Sequence, residues 1–211
     1  MKTPPTIGVL SPFVSGFYFG AVIRGIAGAA AEAGARLVAI QTSDPGVSYT
    51  ERSENSSHLH AASWAHLDGC IVVLDAATPT YTEAIKRSGK PVVMISRHID
   101  GVDCPIVKPD NRVGVRDAVQ HLIAHGHRKI AFAGGMDQHD VQDRYASYVE
   151  TLRDAGIEPD PSLVFATGDN EEICGVQAGQ QMLASGLKST AVVVATDLNA
   201  IGIMQALTAA G

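Results

Sequence analysis

The sequence predicts an α/β fold of two tandem Rossmann-like lobes with parallel sheets. Three observations point there. Short, nearly continuous apolar runs alternate with amphipathic stretches of helix length, as in parallel sheets covered by helices. A glycine closes one helix after another just before the next apolar run. The alternation is interrupted once, between residues 98 and 110, by a cluster of turn-forming residues.

In chain order, the first strand is read at Thr6 to Leu10. A helix follows, in which Val22, Ile23, Ile26 and Ala30 share a face and Gly34 supplies a left-handed stop. Further buried strands are read at Arg36 to Gln41, Gly69 to Leu74, Pro91 to Ser96, Lys129 to Ala133, Leu163 to Ala166 and Ala191 to Ala195. Gly89, Gly126, Gly156 and Gly186 repeat the punctuation of Gly34. The break at His98 to Asp110 places the lobe boundary, giving an N-terminal lobe over residues 1–106 and a C-terminal lobe over 107–211. Open parallel sheets bind ligands beyond the carboxyl ends of their strands, so a cleft between two such lobes is the expected site.

With 45% apolar and 18% charged residues, the 211-residue chain can bury a substantial core. It contains no uninterrupted apolar stretch of the roughly 18 residues a membrane span requires. The start, Met1-Lys2-Thr3-Pro4-Pro5, carries no cleavage signal, so a cytoplasmic protein without a membrane partner is expected. Cys70, Cys104 and Cys174 are odd in number and widely spaced, which argues against a disulfide framework or a zinc site. The net charge of −6, with no basic cluster, gives this segment no general attraction to nucleic acid.

Enzyme signatures fail in turn. Asp75 ends an apolar run as a receiver's phosphoacceptor does, but Ser11-Pro12 stands where a receiver needs an acidic pair for Mg²⁺. Gly134-Gly135 is only a fragment of a dinucleotide fingerprint, and neither a G-x-S-x-G elbow nor a P-loop is present. His58, His60 and His66 lack ligand-spaced acidic or thiolate partners and read as solvated helix residues, while His125 and His127 read as turn residues. No catalytic residue, metal or cofactor is expected.

Three stretches carry a family resemblance. Thr6-Ile7-Gly8-Val9-Leu10-Ser11-Pro12 leads into Phe17-Tyr18-Phe19 and Arg24-Gly25-Ile26. Pro109-Asp110-Asn111-Arg112-Val113-Gly114 runs on through His121-Leu122-Ile123-Ala124-His125-Gly126-His127-Arg128-Lys129-Ile130 to Gly134. Thr190-Ala191-Val192-Val193-Val194-Ala195-Thr196-Asp197 continues to Gly202. Together they resemble LacI/GalR-family transcriptional regulators, whose effector domain has the type I periplasmic-binding-protein-like fold.

The resemblance implies a pocket at strand ends that takes a small polar effector such as a sugar or nucleoside. Ser11 and the rings of Phe13, Phe17 and Tyr18 follow the first strand, where a ring can stack on a sugar or base or simply pack, as Phe19 is read to do. Asp75 ends the third strand and is counted with the pocket. Ser96 and Arg97 close the fourth, the serine departing from the acidic residue common there, and Arg97 is open to a ligand or to an interlobe ion pair. Arg144 matches a ligand-clamping position, with an ion pair to Asp140 or Asp143 as the competing reading. Asn170 can donate and accept towards a hydroxyl, while Asp169 before it reads as a helix cap. Thr196 replaces an amide common in the family, and Asp197 reads as a helix cap or a pocket residue. Pro109, Asp110 and Asn111 read as the hinge, with a cap at the helix start.

The function implied is allosteric: effector binding closes the hinge and is read through a homodimer, with apolar helix faces on the first lobe available to form it. The family's helix-turn-helix headpiece, its route to DNA, is expected to be absent from this chain, which is expected to stop before the family's last strands. Fusion to a diguanylate cyclase or another output, or service as a transporter's solute-binding protein, stay open as alternatives.

Overall fold

The computed structural model describes residues 3–43, 66–98 and 101–211. The chain divides into two compact units, Met1–Pro109 and Asp110–Gly211. Each has its own parallel sheet.

The first lobe runs β1 (Thr6–Ser11), α1 (Phe17–Glu32), β2 (Arg36–Gln41), β3 (Gly69–Val73), α2 (Pro79–Arg87), β4 (Val92–Ile95) and β5 (Ile106–Val107). Its strand order is β2-β1-β3-β4-β5. Right-handed crossovers run leftward through α1 and rightward through α2, so the two helices cover opposite faces. On the α2 face, Leu10, Cys70, Val72, Val92 and Met94 bury against Ile85. Four strands were expected here, and β5 is the addition. It is too short for an apolar run to signal, but Ile106 and Val107 pair with Met94 and Ile95 and carry the sheet to the edge of the interlobe break. The division into units consequently falls after Pro109 rather than after residue 106.

A second correction concerns β2. Its apolar sequence reads as a buried strand, yet Arg36, Val38, Ala39 and Gln41 are exposed and only Leu37 and Ile40 are half-buried. Among the described residues the strand lies at the sheet edge, with β1 as its one neighbour.

The second lobe runs α3 (Asn111–Ala124), β6 (Ile130–Gly134), α4 (His139–Asp154), β7 (Val164–Ala166), α5 (Glu172–Ala184), β8 (Ala191–Val194) and α6 (Asp197–Ala209), with strand order β7-β6-β8. Alternation along the central strand separates two cores. Ile130 and Phe132 point to the α3–α4 side, where Val119, Val141, Tyr148 and Leu152 enclose them. Ala131 and Ala133 point to the α5–α6 side, against Phe165, Ala178, Met182 and Ile203. Burying a side chain of the size of Phe132 contributes about 1.5–3 kcal/mol. Tyr148 is buried in that first core and donates to the Ile130 carbonyl at 2.7 Å. Burial pushes its hydroxyl pKa up to about 12, which keeps it a donor.

Small residues let α5 and α6 pack backbone to backbone. A Cβ added at Gly175 would overlap the Asn199 backbone, one at Gly202 would overlap the Glu172 carbonyl, and one at Gly179 would lie 2.7 Å from the Ala206 Cβ. This pair was not anticipated, although Gly175 and Gly179 share one helix face at i, i+4 spacing. The glycines read as helix stops behave as such: Gly34, Gly89, Gly126, Gly156 and Gly186 all have φ between 66° and 91°. No helix among the described residues is long and apolar enough to cross a membrane.

Candidate functional site

The carboxyl ends of the strands gather the polar side chains in both lobes. In the first lobe, Ser11 ends β1 fully buried, and its hydroxyl donates to the Phe13 carbonyl at 2.6 Å. Phe13 and Phe19 meet edge to face at 5.5 Å, and Tyr18 and Phe19 at 5.2 Å. Phe19 is therefore a packing residue. Phe17 is not: the residue is 72% exposed. Tyr18 is exposed too, and its hydroxyl lies 3.0 Å from Ser96 Oγ, linking the start of α1 to the end of β4.

Two residues at neighbouring strand ends adopt the left-handed conformation that favours glycine. Leu74 has φ 52° and Ser96 has φ 64°. Such conformations cost about 1–3 kcal/mol each and persist only where the surroundings enforce them. Here they aim the next residue along: Asp75 follows Leu74, Arg97 follows Ser96, and the two side chains face one another at 3.9 Å. Arg97 thus pairs within its own lobe.

In the second lobe Arg144, on the second turn of α4, is held on three sides. Its Nε donates to Asn111 Oδ1 at 3.0 Å, Nη1 donates to the Ala195 carbonyl, and Nη2 pairs with Asp140 at 3.1 Å. The expected ion pair forms with Asp140, one turn back on the same helix. Of the five guanidinium N–H groups, these contacts leave two for another acceptor. Asp110 caps α3 by accepting from the Val113 N–H at 3.0 Å, and Asn111 is the first helical residue. Pro109 is exposed.

Two cap readings are corrected. Asp197 lies inside the first turn of α6, the cap position belongs to Thr196, and the Thr196 side chain makes no cap bond. Asp169 precedes the α5 cap, which is Glu171, and accepts instead from the Asn170 N–H at 2.6 Å. In both cases the helix starts at a residue other than the one its polar neighbour suggested.

Two residues missed by the sequence reading organise this end. Gln138, buried, accepts from Asn170 Nδ2 at 2.7 Å. Asn199, fully buried, donates to the carbonyls of Asp169 at 3.0 Å and Glu171 at 2.8 Å, and accepts from Thr167 at 3.2 Å. It clamps the loop that carries Asn170. Gln138 was within reach of the strand-end rule, since it stands four residues past β6, whereas nothing local marks Asn199.

Three buried side-chain polar atoms among the described residues have no hydrogen-bond partner: Asp75 Oδ1, Asn170 Oδ1 and Thr196 Oγ1. They follow β3, β7 and β8 respectively, each within four residues of the strand's last. Of the histidines considered for a metal, His66 is exposed, and His58 and His60 lie outside the described residues. His125 is the C-cap of α3, and His127 Nδ1 lies 2.9 Å from Thr190 Oγ1, so both serve turns.

The fold defines a class, the α/β proteins whose two parallel-sheet lobes follow the periplasmic-binding-protein-like plan. Residues 4–211 match the family of periplasmic binding proteins and the sugar binding domain of the LacI family, and the chain belongs to that family. It is similar to catabolite control protein A of Priestia megaterium, with 27% identity over 206 residues covering 96% of this chain and 60% of the relative. It is 28% identical to the HTH-type transcriptional repressor CytR of Escherichia coli K12, covering 94% of this chain and 57% of that protein. The chain thus spans less than two thirds of the length of either relative. The crystal structure of a LacI family transcriptional regulator from Enterococcus faecium with bound ribose has the same fold, with a TM-score of 0.76, 23% identity, and coverage of 98% of this chain and 72% of that one.

Proposed function

We propose that this chain is the sensor domain of a LacI/GalR-type transcriptional regulator. In this reading it binds a small polar metabolite at the strand ends and does not turn it over. The three orphaned atoms carry the reading. Each buried polar group left unpaired costs about 1–3 kcal/mol, and all three follow the carboxyl ends of strands, where open α/β sheets take ligands. A ligand supplying the missing partners offsets that cost on binding.

The proposed contacts are Ser11, Asp75, Ser96 and Arg97 in the first lobe, with Phe13, Phe17 and Tyr18 offering ring faces. In the second lobe they are Arg144, Asn170 and Asp197. Pro109, Asp110 and Asn111 serve as the hinge, and effector binding shifts the chain towards the form that binds it better. The ribose held by the Enterococcus faecium regulator supports a sugar or a similar metabolite as effector. A regulator further requires a headpiece that contacts DNA, a cytoplasmic setting and a homodimer. For the dimer, α1 contains no fully buried residue.

A thermal-shift screen of sugars, nucleosides and related metabolites tests the proposal. A true effector raises the melting temperature with dose, by the equivalent of about 2.7 kcal/mol at a hundredfold excess over Kd. The response weakens in Asp75→Asn and Arg144→Lys, and the effector is recovered unchanged after long incubation. A folded protein that answers to no member of the library, or one that consumes its ligand, defeats the reading.

A further inference from the structure

We infer that the second lobe carries a further binding site, at the amino ends of its strands, for a small carboxylate with an apolar body. The site lies wholly within the unit Asp110–Gly211, and every residue that forms it comes from the end of the sheet opposite to Asn170 and Thr196.

A cavity of about 290 Å³ opens there, near the low end of the size of small-molecule sites. It is built from the segment that leads into β6, the end of α4 and the chain after it, the short helical turn Pro161–Leu163 ahead of β7, and the loop ahead of β8. Its floor is apolar. Ile130, Tyr148, Leu152 and Leu163 are buried, and Ile157 is half-buried. The Tyr148 hydroxyl already donates to the Ile130 carbonyl, so the floor's side chains hold no further donor for a ligand.

The rim is charged. Arg128, Lys129 and Lys188 contribute three cations, Glu158 and Asp160 two carboxylates, and all five residues are exposed. Asp160 is occupied within its own turn, where it accepts from the Ser162 N–H at 2.8 Å. Neither lysine forms an ion pair within 4.0 Å among the described residues. The balance is one net positive charge in a chain whose overall charge is −6, which suits a ligand with one anionic group.

Arg128 supplies the geometry for that group. Its Nη1 donates to the carbonyls of Ile123 and His127, both at 3.0 Å. Two bonds from one nitrogen hold the guanidinium plane in place. They leave Nε and Nη2 without a partner among the described residues, and these are the two neighbouring donors that match the two oxygens of a carboxylate. A phosphate ion fits less well: it carries about −1.5 to −2 charges at pH 7, and it has no apolar part to cover the floor. The cavity therefore pairs a fork for one carboxylate with an apolar floor for the body that bears it.

Titration of the ¹⁵N-labelled chain with hexanoate and with benzoate, each beside its neutral amide, and with inorganic phosphate, tests the inference by amide NMR. The acids are expected to shift the signals of Ile157, Leu163 and Lys188 and to leave those of Asn170 and Thr196 in place. They should bind about tenfold more tightly than the amides, and Arg128→Gln should remove about that factor. Lys188→Gln changes an exposed side chain that makes no hydrogen bond among the described residues, and should weaken binding by about two- to fivefold. If Arg128→Gln is unfolded by circular dichroism, Lys188→Gln alone decides, and an affinity it leaves unchanged overturns the inference. So do an amide that binds as tightly as its acid, phosphate that binds as tightly as either acid, shifts centred on Asn170 and Thr196 instead, and the absence of any shift with both acids. None of these results bears on the proposed effector site, which the metabolite screen tests separately.

Discussion

Replacing Thr196 by valine separates a residue kept for a ligand from one kept for the fold. The Thr196 hydroxyl is buried and unpartnered. It occupies the N-cap position of α6 without making a cap bond, so the substitution removes no hydrogen bond. Valine has nearly the same shape, and the extended backbone there, φ −139° and ψ 152°, suits a β-branched residue. What changes is the desolvation cost of the hydroxyl, about 1–3 kcal/mol. The ligand-free variant should therefore be more stable than the wild type by roughly 1 kcal/mol, the low end of that range. For a unit of the size of Asp110–Gly211 this corresponds to about 4–8 °C in melting temperature. Urea denaturation followed by circular dichroism gives the free energy, and scanning calorimetry gives the temperature. Ligand affinity should fall in the same variant. A residue with a purely structural polar role gives the opposite sign, so a destabilised Thr196→Val protein refutes the argument that this hydroxyl awaits a ligand.

Ser96→Val places a β-branched residue at φ 64° and removes the contact with Tyr18, and should cost about 1–3 kcal/mol in denaturant titration. Gly202→Ala drives a methyl group into the Glu172 carbonyl across the α5–α6 contact and should cost about 3 kcal/mol in the same assay, with both helices shifting in amide NMR spectra. Asp160 accepts from Ser162, and with Lys188 and Lys129 nearby its pKa is held below the ordinary 3.8. A depressed carboxylate stabilises the fold above its unfolded pKa, and the contribution is lost as pH falls through the lower folded value. Asp160→Ala should therefore be less stable than wild type at neutral pH, and the two should converge as the solution is acidified below 3.8.

The sequence by itself determined the local units of this protein. Apolar runs of strand length, the shared face of Val22, Ile23, Ile26 and Ala30, and the glycines that end helices are legible because strand and helix periodicity act over a few residues. The proposed site rests on the same ground, since it is placed where strands stop. Tertiary structure alone decided which polar atoms find partners. Arg144 is anchored by Asn111, 33 residues away, and by the Ala195 carbonyl, 51 away, while Asn199 reaches back some 30 residues to hold the Asn170 loop. Likewise β2 reads as a core strand until the order of the described strands places it at an edge. Partner choice among polar groups is a competition settled by packing across the whole lobe, and no window of neighbouring residues contains the competitors.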